Sequence, residues 1–168
     1  TEERILLDVE VIKEDGSKHY LAVNDAVVAR GQLSKTIDLH LTLDGDEISK
    51  YRADGLLFAT PTGSTAYSLS AGGPILAPKM ECILMTPVCP HSLFSRSVLF
   101  SGESELSVHV KIPEECCCVL TIDGEKNVPV LATDRVVIRK SDLKLKLALL
   151  HNRNFYKLLN EKLKERDF

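Results

Sequence analysis

The chain has 168 residues, of which 44% are hydrophobic and 27% charged, with a formal net charge of −3. That length permits one domain with a real core plus a terminal appendage. The charge excludes a basic field that would recruit nucleic acid or an anionic membrane, and no apolar run approaches the length of a membrane span.

TEERILLDVEV does not read as a signal peptide, and because Thr1 is not an initiator Met the chain is expected to be a piece of a longer one. There are five cysteines, and Cys116-Cys117-Cys118 are consecutive. Neighbours in a strand face opposite ways, so they cannot easily bridge or share a metal. Cys82 and Cys89 show no zinc-ligand spacing with them. All five are read as reduced small hydrophobes in a cytoplasmic protein, with no metal site of their own.

From the N-terminus, Glu3 to Lys13 alternates apolar and charged residues, the pattern of a half-buried strand. Glu14-Asp15-Gly16-Ser17 is a hairpin turn, and Lys18 to Val23 is the returning strand. His19 is an exposed strand residue. Asn24-Asp25 then interrupts an apolar run; a polar pair there is costly to bury unless satisfied, so it is either a tight turn or bulge, or a site. Arg30 closes this strand and is placed to pair with a nearby carboxylate. Ile37 to Leu43 alternates with period two, which puts His40 on the solvent side. Asp44-Gly45 turns the chain, and Ile48 to Arg52 leads it back to Asp54.

Asp54 to Pro74 is the most informative stretch. Gly55 to Ala59 is apolar without alternation, which predicts a strand covered on both faces. Thr60-Pro61-Thr62-Gly63 supplies turn chemistry. A helix is predicted from Ser64, capped by hydroxyls and ended by Gly72-Gly73-Pro74. At helical spacing Thr62, Ala66 and Ser70 would share one row, with Thr65 beside it. The unit holds the hydroxyls of Thr60, Thr62, Ser64, Thr65, Tyr67 and Ser70, no Lys or Arg, and Asp54 as its one carboxylate. Two readings stand side by side. One is a Ser/Thr-rich turn with capping hydroxyls. The other is a cradle in which small residues and free N–H groups let an anionic ligand approach.

Beyond Pro74, Cys82 to Cys89 reads as a buried strand ending at Pro90. Ser97–Phe100, Glu105–Ile112, Cys116–Ile122, Val128–Val130 and Arg135–Arg139 follow as short strands, and Leu143 to Leu149 as a last one. That rhythm predicts an all-β sandwich rather than βαβ units. Asp123-Gly124 is by itself a good hairpin turn. Asn154 to Arg166 carries Phe155, Leu158, Leu159 and Leu163 at helical spacing. The expected organisation is therefore a β-sandwich domain over 1–152, with one short helix after the turn, and a C-terminal amphipathic helix over 153–168 that packs on a missing N-terminal domain or on another subunit.

DGLLFATPTGSTAYSLSAGGP resembles the signature of NAD kinases, which phosphorylate the adenosine ribose 2′-hydroxyl of NAD to give NADP. Asn24-Asp25, Thr86-Pro87-Val88-Cys89-Pro90-His91-Ser92-Leu93 and Ile122-Asp123-Gly124-Glu125 resemble further motifs of that family, in the same order. Arg96-Ser97 stands where the family usually has Arg-Pro. The resemblance covers the second half of the family's chain and implies that Asn24, Asp25, Asp54, Thr62, Thr65, Ala66, Tyr67, Ser70 and Asp123 bind NAD, with Asp123 as a ligand-facing carboxylate. His91 is given a structural role at an interface or the ligand rim.

The family's N-terminal α/β domain carries a Gly-Gly-Asp-Gly motif whose Asp serves as base and metal holder. This chain has no such motif and no P-loop. The resemblance therefore implies a dinucleotide-binding half with no catalytic base of its own. It also implies ATP or polyphosphate as donor, Mg²⁺ as the divalent metal, and a homo-oligomer of two or four subunits. Two alternatives are a relative of the diacylglycerol and sphingosine kinases, against which the polar turn argues, and a non-catalytic assembly sandwich, against which the hydroxyl cluster argues.

Overall fold

A computed structural model describes residues 1–31, 36–92, 95–112, 118–149 and 154–164. The chain opens with the hairpin β1 (Glu2–Lys13) and β2 (Gly16–Ala22), then crosses to a second sheet through β3 (Asp25–Arg30). The hairpin β4 (Ile37–Leu43) and β5 (Asp46–Ala53) leads into β6 (Gly55–Ala59), a single 3-10 turn (Gly63–Thr65) and one turn of helix, α1 (Tyr67–Ser70). Then come β7 (Cys82–Val88), β8 (Val98–Ser101), β9 (Leu106–Lys111), β10 (Cys118–Ile122), β11 (Lys126–Val130), β12 (Arg135–Leu147) and α2 (Phe155–Lys164).

The strands form two six-stranded antiparallel sheets, in the orders β2-β1-β12-β9-β4-β5 and β11-β10-β3-β6-β7-β8. The all-β sandwich read from the sequence is what forms. The alternating residues explain it: Leu7, Val9 and Val11 of β1, Leu39 and Leu41 of β4 and Leu106, Val108 and Val110 of β9 all point into one core shared with Leu56, Phe58, Ile83 and Met85 of the opposite sheet. Each fully buried side chain of this kind contributes about 1.5–3 kcal/mol.

β6 is buried along its whole length, as its unbroken apolar run predicts. Leu56 and Phe58 face the shared core. Leu57 and Ala59 face outward, where Leu76 of the segment after α1 covers them together with Val27, Cys82 and Leu84. The strand that feeds the TPTG turn is therefore fixed on both sides.

Several expectations need correction. Arg135–Arg139 and Leu143–Leu149 are not two strands but the single long β12. The register passes from Leu7↔Lys140 to Ile5↔Lys144, so three residues of β12 bulge opposite Leu6 alone. Ser141 is buried there and accepts the Leu143 N–H at 3.1 Å; the bulge breaks the alternation that sequence reading relies on. His40 does lie on the outward face of β4, half-buried there, with its Nδ1 2.7 Å from Glu47 Oε2. Cys89 is not a core residue but exposed, at φ +45°, whereas Cys82 and Cys118 are buried thiols, that of Cys118 donating to the Ala29 carbonyl at 3.0 Å. Cys116 and Cys117, Leu93 and the end of the predicted helix beyond 164 lie outside the described residues. At the other end of α2, Asn154 Oδ1 accepts the N–H of Tyr156 at 2.9 Å, a side-chain cap.

Candidate dinucleotide site

Three segments meet at one end of the second sheet: the Val23-Asn24 crossing, the TPTG turn and the β10–β11 turn. At the last of these, Asp123 and Gly124 sit at φ +49° and +72°, the pair of left-handed residues that a tight hairpin turn of the I′ kind requires. This projects the Asp123 carboxylate back across the sheet. Its Oδ2 accepts the Val23 N–H at 2.8 Å, and its Oδ1 accepts the N–H groups of Asn24 at 2.7 Å and Asp25 at 3.0 Å. The Asp123 N–H donates to the Asp25 carbonyl at 2.9 Å. Three consecutive donors freed by the crossing are thus satisfied by one charged acceptor. Asp123 is expected from the resemblance to face the ligand, but the structure commits its oxygens to the backbone of residues 23–25.

The TPTG turn sits on the same crossing from the other side. The Thr60 N–H donates to the Asn24 carbonyl at 2.9 Å, and the Thr60 hydroxyl donates to the Val23 carbonyl at 2.7 Å. Thr60 Oγ1 also accepts the Gly63 N–H at 3.0 Å. Gly63 has almost no room: a Cβ there would fall 2.5 Å from the Asn24 carbonyl carbon and 2.7 Å from its Cα, and nearer still to the carbonyl oxygen. The requirement for glycine here is close approach of two backbones, not a left-handed φ.

The continuous helix predicted from Ser64 does not form. Ala66, at φ −93° and ψ −129°, separates the 3-10 turn from α1, and neither element has a side-chain cap. Thr62, Ala66 and Ser70 therefore do not share one helical row. Gly72, at φ +88°, does end α1 as expected, its N–H reaching the Leu69 carbonyl at 3.0 Å. The hydroxyls divide into two sets. Thr60, Ser64 and Ser68 are fully buried and used internally: Ser64 donates to the Pro61 carbonyl at 2.7 Å and accepts the Leu76 N–H at 3.0 Å, while Ser68 bonds Thr86 at 3.2 Å. Thr62, Thr65, Tyr67 and Ser70 remain half-buried or exposed, with Tyr67 47% exposed. Sequence reading gave no role to Ser68 or Thr86, though both lie inside the quoted motifs, and it missed the constraint on Gly63.

Asn24, Asp25, Thr62, Thr65 and Ala66 are thus brought together, with Tyr67 and Ser70 one turn further on and Asp123 behind them. Asp54 is not. It sits at the opposite end of β6, six residues from Thr60 and so roughly 20 Å away at strand rise. There its Oδ1 accepts from Arg30 Nε at 2.8 Å, which is the pairing expected for Arg30. His91 is exposed, and its N–H donates to the Arg52 carbonyl at 2.9 Å.

Asp25 is the chemically unusual group. It is 5% exposed, and no hydrogen bond or ion pair reaches its carboxylate among the described residues. Burial, and then the charge of Asp123, push its pKa up to about 6. A carboxyl whose folded-state pKa lies above its ordinary value carries no penalty at pH values below both. The penalty grows as pH rises through about 4 to 6 and is complete above that. Asp25→Asn is accordingly expected to melt higher than the parent at pH 8, by about 1–3 kcal/mol of stability, and to match it near pH 4. Thermal melts across that range check this; a variant less stable at pH 8 would show that the carboxylate has a partner.

The family described as the ATP-NAD kinase C-terminal domain matches residues 23–150. The chain belongs to that family. Among curated NAD kinases, the chain is 38% identical to that of Lachnoclostridium phytofermentans over 167 residues and 41% identical to that of Magnetococcus marinus over 165, covering 96% of this chain in each case. It spans 59% and 54% of those relatives' lengths. Among solved structures, a yeast NADH kinase complexed with NADH superposes with a TM-score of 0.83 at 28% identity, covering 99% of this chain and 51% of that one. An Archaeoglobus fulgidus NAD kinase in complex with ATP gives 0.76 at 28% identity, covering 97% and 61%. In this NAD kinase C-terminal domain, the half-buried or exposed side chains of Asn24, Thr62, Thr65, Tyr67 and Ser70 border the joined crossing and turn.

Proposed function

We propose that this chain is the dinucleotide-binding portion of an NAD kinase, which transfers a phosphoryl group to the adenosine ribose 2′-hydroxyl of NAD and so sets the balance of NAD and NADP. The observation that carries the reading is the seating of the TPTG turn on the Asn24-Asp25 crossing, clamped from behind by Asp123. The solved relatives in complex with NADH and with ATP support it.

Phosphoryl transfer depends mainly on positioning and on offsetting developing charge. In this reading Asn24 and Asp25 take ribose hydroxyls or the carboxamide, since a carboxylate without a partner is an acceptor waiting for such donors. Thr62, Thr65, Ala66 and Ser70 line the adenosine side through hydroxyl and backbone contacts, and Tyr67 packs on a ring. The turn has no Lys or Arg, so N–H groups and solvent meet the pyrophosphate. Asp54 is left out of this contact set within one chain.

ATP or polyphosphate is the donor, Mg²⁺ the accompanying metal, and the working form a cytoplasmic homo-oligomer. No helix among the described residues is long and apolar enough to cross a membrane. No cluster of three His, Cys, Asp or Glu among the described residues could hold the metal. None of the roles above runs through the metal.

Calorimetric titration of NAD into the chain and into Tyr67→Ala tests the site. Loss of base stacking worth about 1–3 kcal/mol is expected to weaken binding by about 5- to 150-fold; equal affinity removes Tyr67 from the site. The chain alone is expected to make no NADP from NAD, ATP and Mg²⁺. Robust turnover would mean that the base lies within it, with Asp25 the first suspect.

A further inference from the structure

A groove runs between the start of β1, the segment 77–79 and α2, lined by Arg4, Ala77, Pro78, Leu149, Phe155 and Leu158. Arg4 is the anomaly in it. Its side chain is 12% exposed, and both Nε and Nη1 are buried without a hydrogen-bond partner. Glu2 Oε1 lies 3.0 Å from Nη1, which counters the charge but lacks the geometry of a hydrogen bond. Buried donors are nearly always satisfied, and a guanidinium presents fixed, directional ones. Beside it, Leu149 is 51% and Tyr156 60% exposed. Clustered exposed apolar side chains of this size mark a surface that something covers.

We propose that this groove seats the portion that precedes the C-terminal domain in its relatives, and that Arg4 donates through Nε and Nη1 to backbone carbonyls of that portion. The inference rests on family membership and not on the dinucleotide reading. Three observations choose the occupant. The chain spans only 54–59% of the two relatives' lengths, and the family description makes it the C-terminal domain, so the rest of such a chain leads into β1. Arg4 and Glu2 lie at the very start of β1, so a preceding portion arrives beside the groove. Glu2 already offsets the charge of Arg4, which leaves its N–H groups suited to neutral carbonyls rather than to a phosphate or a second carboxylate.

The test joins the preceding portion of the Lachnoclostridium phytofermentans relative ahead of Thr1 and follows amide hydrogen exchange. In the joined chain, amides of Glu2–Ile5 and Phe155–Leu158 are expected to exchange at least tenfold more slowly than in the 168-residue chain. Arg4→Met and Arg4→Lys should both abolish that slowing, since neither keeps the guanidinium fork. Arg52→Met, which breaks the Arg52–Asp38 pair on β5, should leave it intact. In the 168-residue chain alone, Arg4→Met should melt at or above the parent temperature, because it removes orphaned donors. No slowing on joining, slowing that survives Arg4→Met, a lower melting temperature for Arg4→Met alone, or the same slowing induced merely by raising the concentration of the 168-residue chain would each overturn the proposal. The last outcome would identify a second copy as the occupant. Titration of NADH into the same samples reads the dinucleotide site separately, so failure there is distinguishable from failure here.

Discussion

Gly63→Ala is expected to be the most damaging single-methyl change in the chain, lowering stability by about 4 kcal/mol or more and abolishing measurable dinucleotide binding. Overpacking a core with a flexible neighbour costs about 1–3 kcal/mol. Here the new Cβ meets backbone, the carbonyl group and Cα of Asn24, which no rotamer change can move aside. Relief requires the turn to lift off the crossing, which also breaks the Thr60 bonds to Val23 and Asn24. For a domain of this size the shift in melting temperature should be roughly 10 °C. Gly72→Ala sets the comparison. It has open space but φ +88°, so it should cost only about 1–2 kcal/mol. If Gly63→Ala melted no lower than Gly72→Ala, the turn would not be seated as described.

Asp123→Ala is expected to cost about 3–4 kcal/mol, a fall in melting temperature of roughly 6–16 °C. It strips the acceptor from three successive N–H groups, each bond being charge-assisted and worth about 1.5–3 kcal/mol before water compensates in part. It also places Ala at φ +49°, where Asp and Asn are tolerated better. Asp123→Asn keeps one acceptor oxygen and the backbone preference, so it should fall between, at about 1–2 kcal/mol. The order of effects separates two roles. A clamp predicts that stability and affinity for NAD fall together across Ala and Asn. A ligand-facing carboxylate predicts that Asn loses affinity while its melting temperature is unchanged.

Most of the sandwich was legible because its strands obey period two: β1, β4 and β9 show their buried faces directly in the order of residues. β6 was legible for the opposite reason, since an unbroken apolar run leaves no exposed face. Where the sequence misled, local pattern and tertiary demand diverged. The β12 bulge hides one strand as two, because Ser141-Asp142-Leu143 breaks the alternation. A helix from Ser64 fits the capping hydroxyls and the Gly72-Gly73-Pro74 stop, but the backbone turns at Ala66. The hydroxyl richness of the turn is partly internal carpentry: Thr60, Ser64 and Ser68 bond the fold to itself. Asp54 and Asp25 look alike in sequence, each an aspartate at a strand end, yet the sheet register sends them to opposite ends of β6. That separation depends on which strands pair, and no single segment encodes it.

The most direct measurement is an amide-resolved NMR titration of the chain with NAD. The amides of Asn24, Asp25, Thr62, Thr65 and Ala66 are expected to move together along one saturable isotherm, with Arg30 and Asp54 at the far end of the sheet unmoved. Saturable shifts confined to other segments, or none at all while the TPTG turn keeps its spectrum, would contradict the assignment of this bend to the dinucleotide.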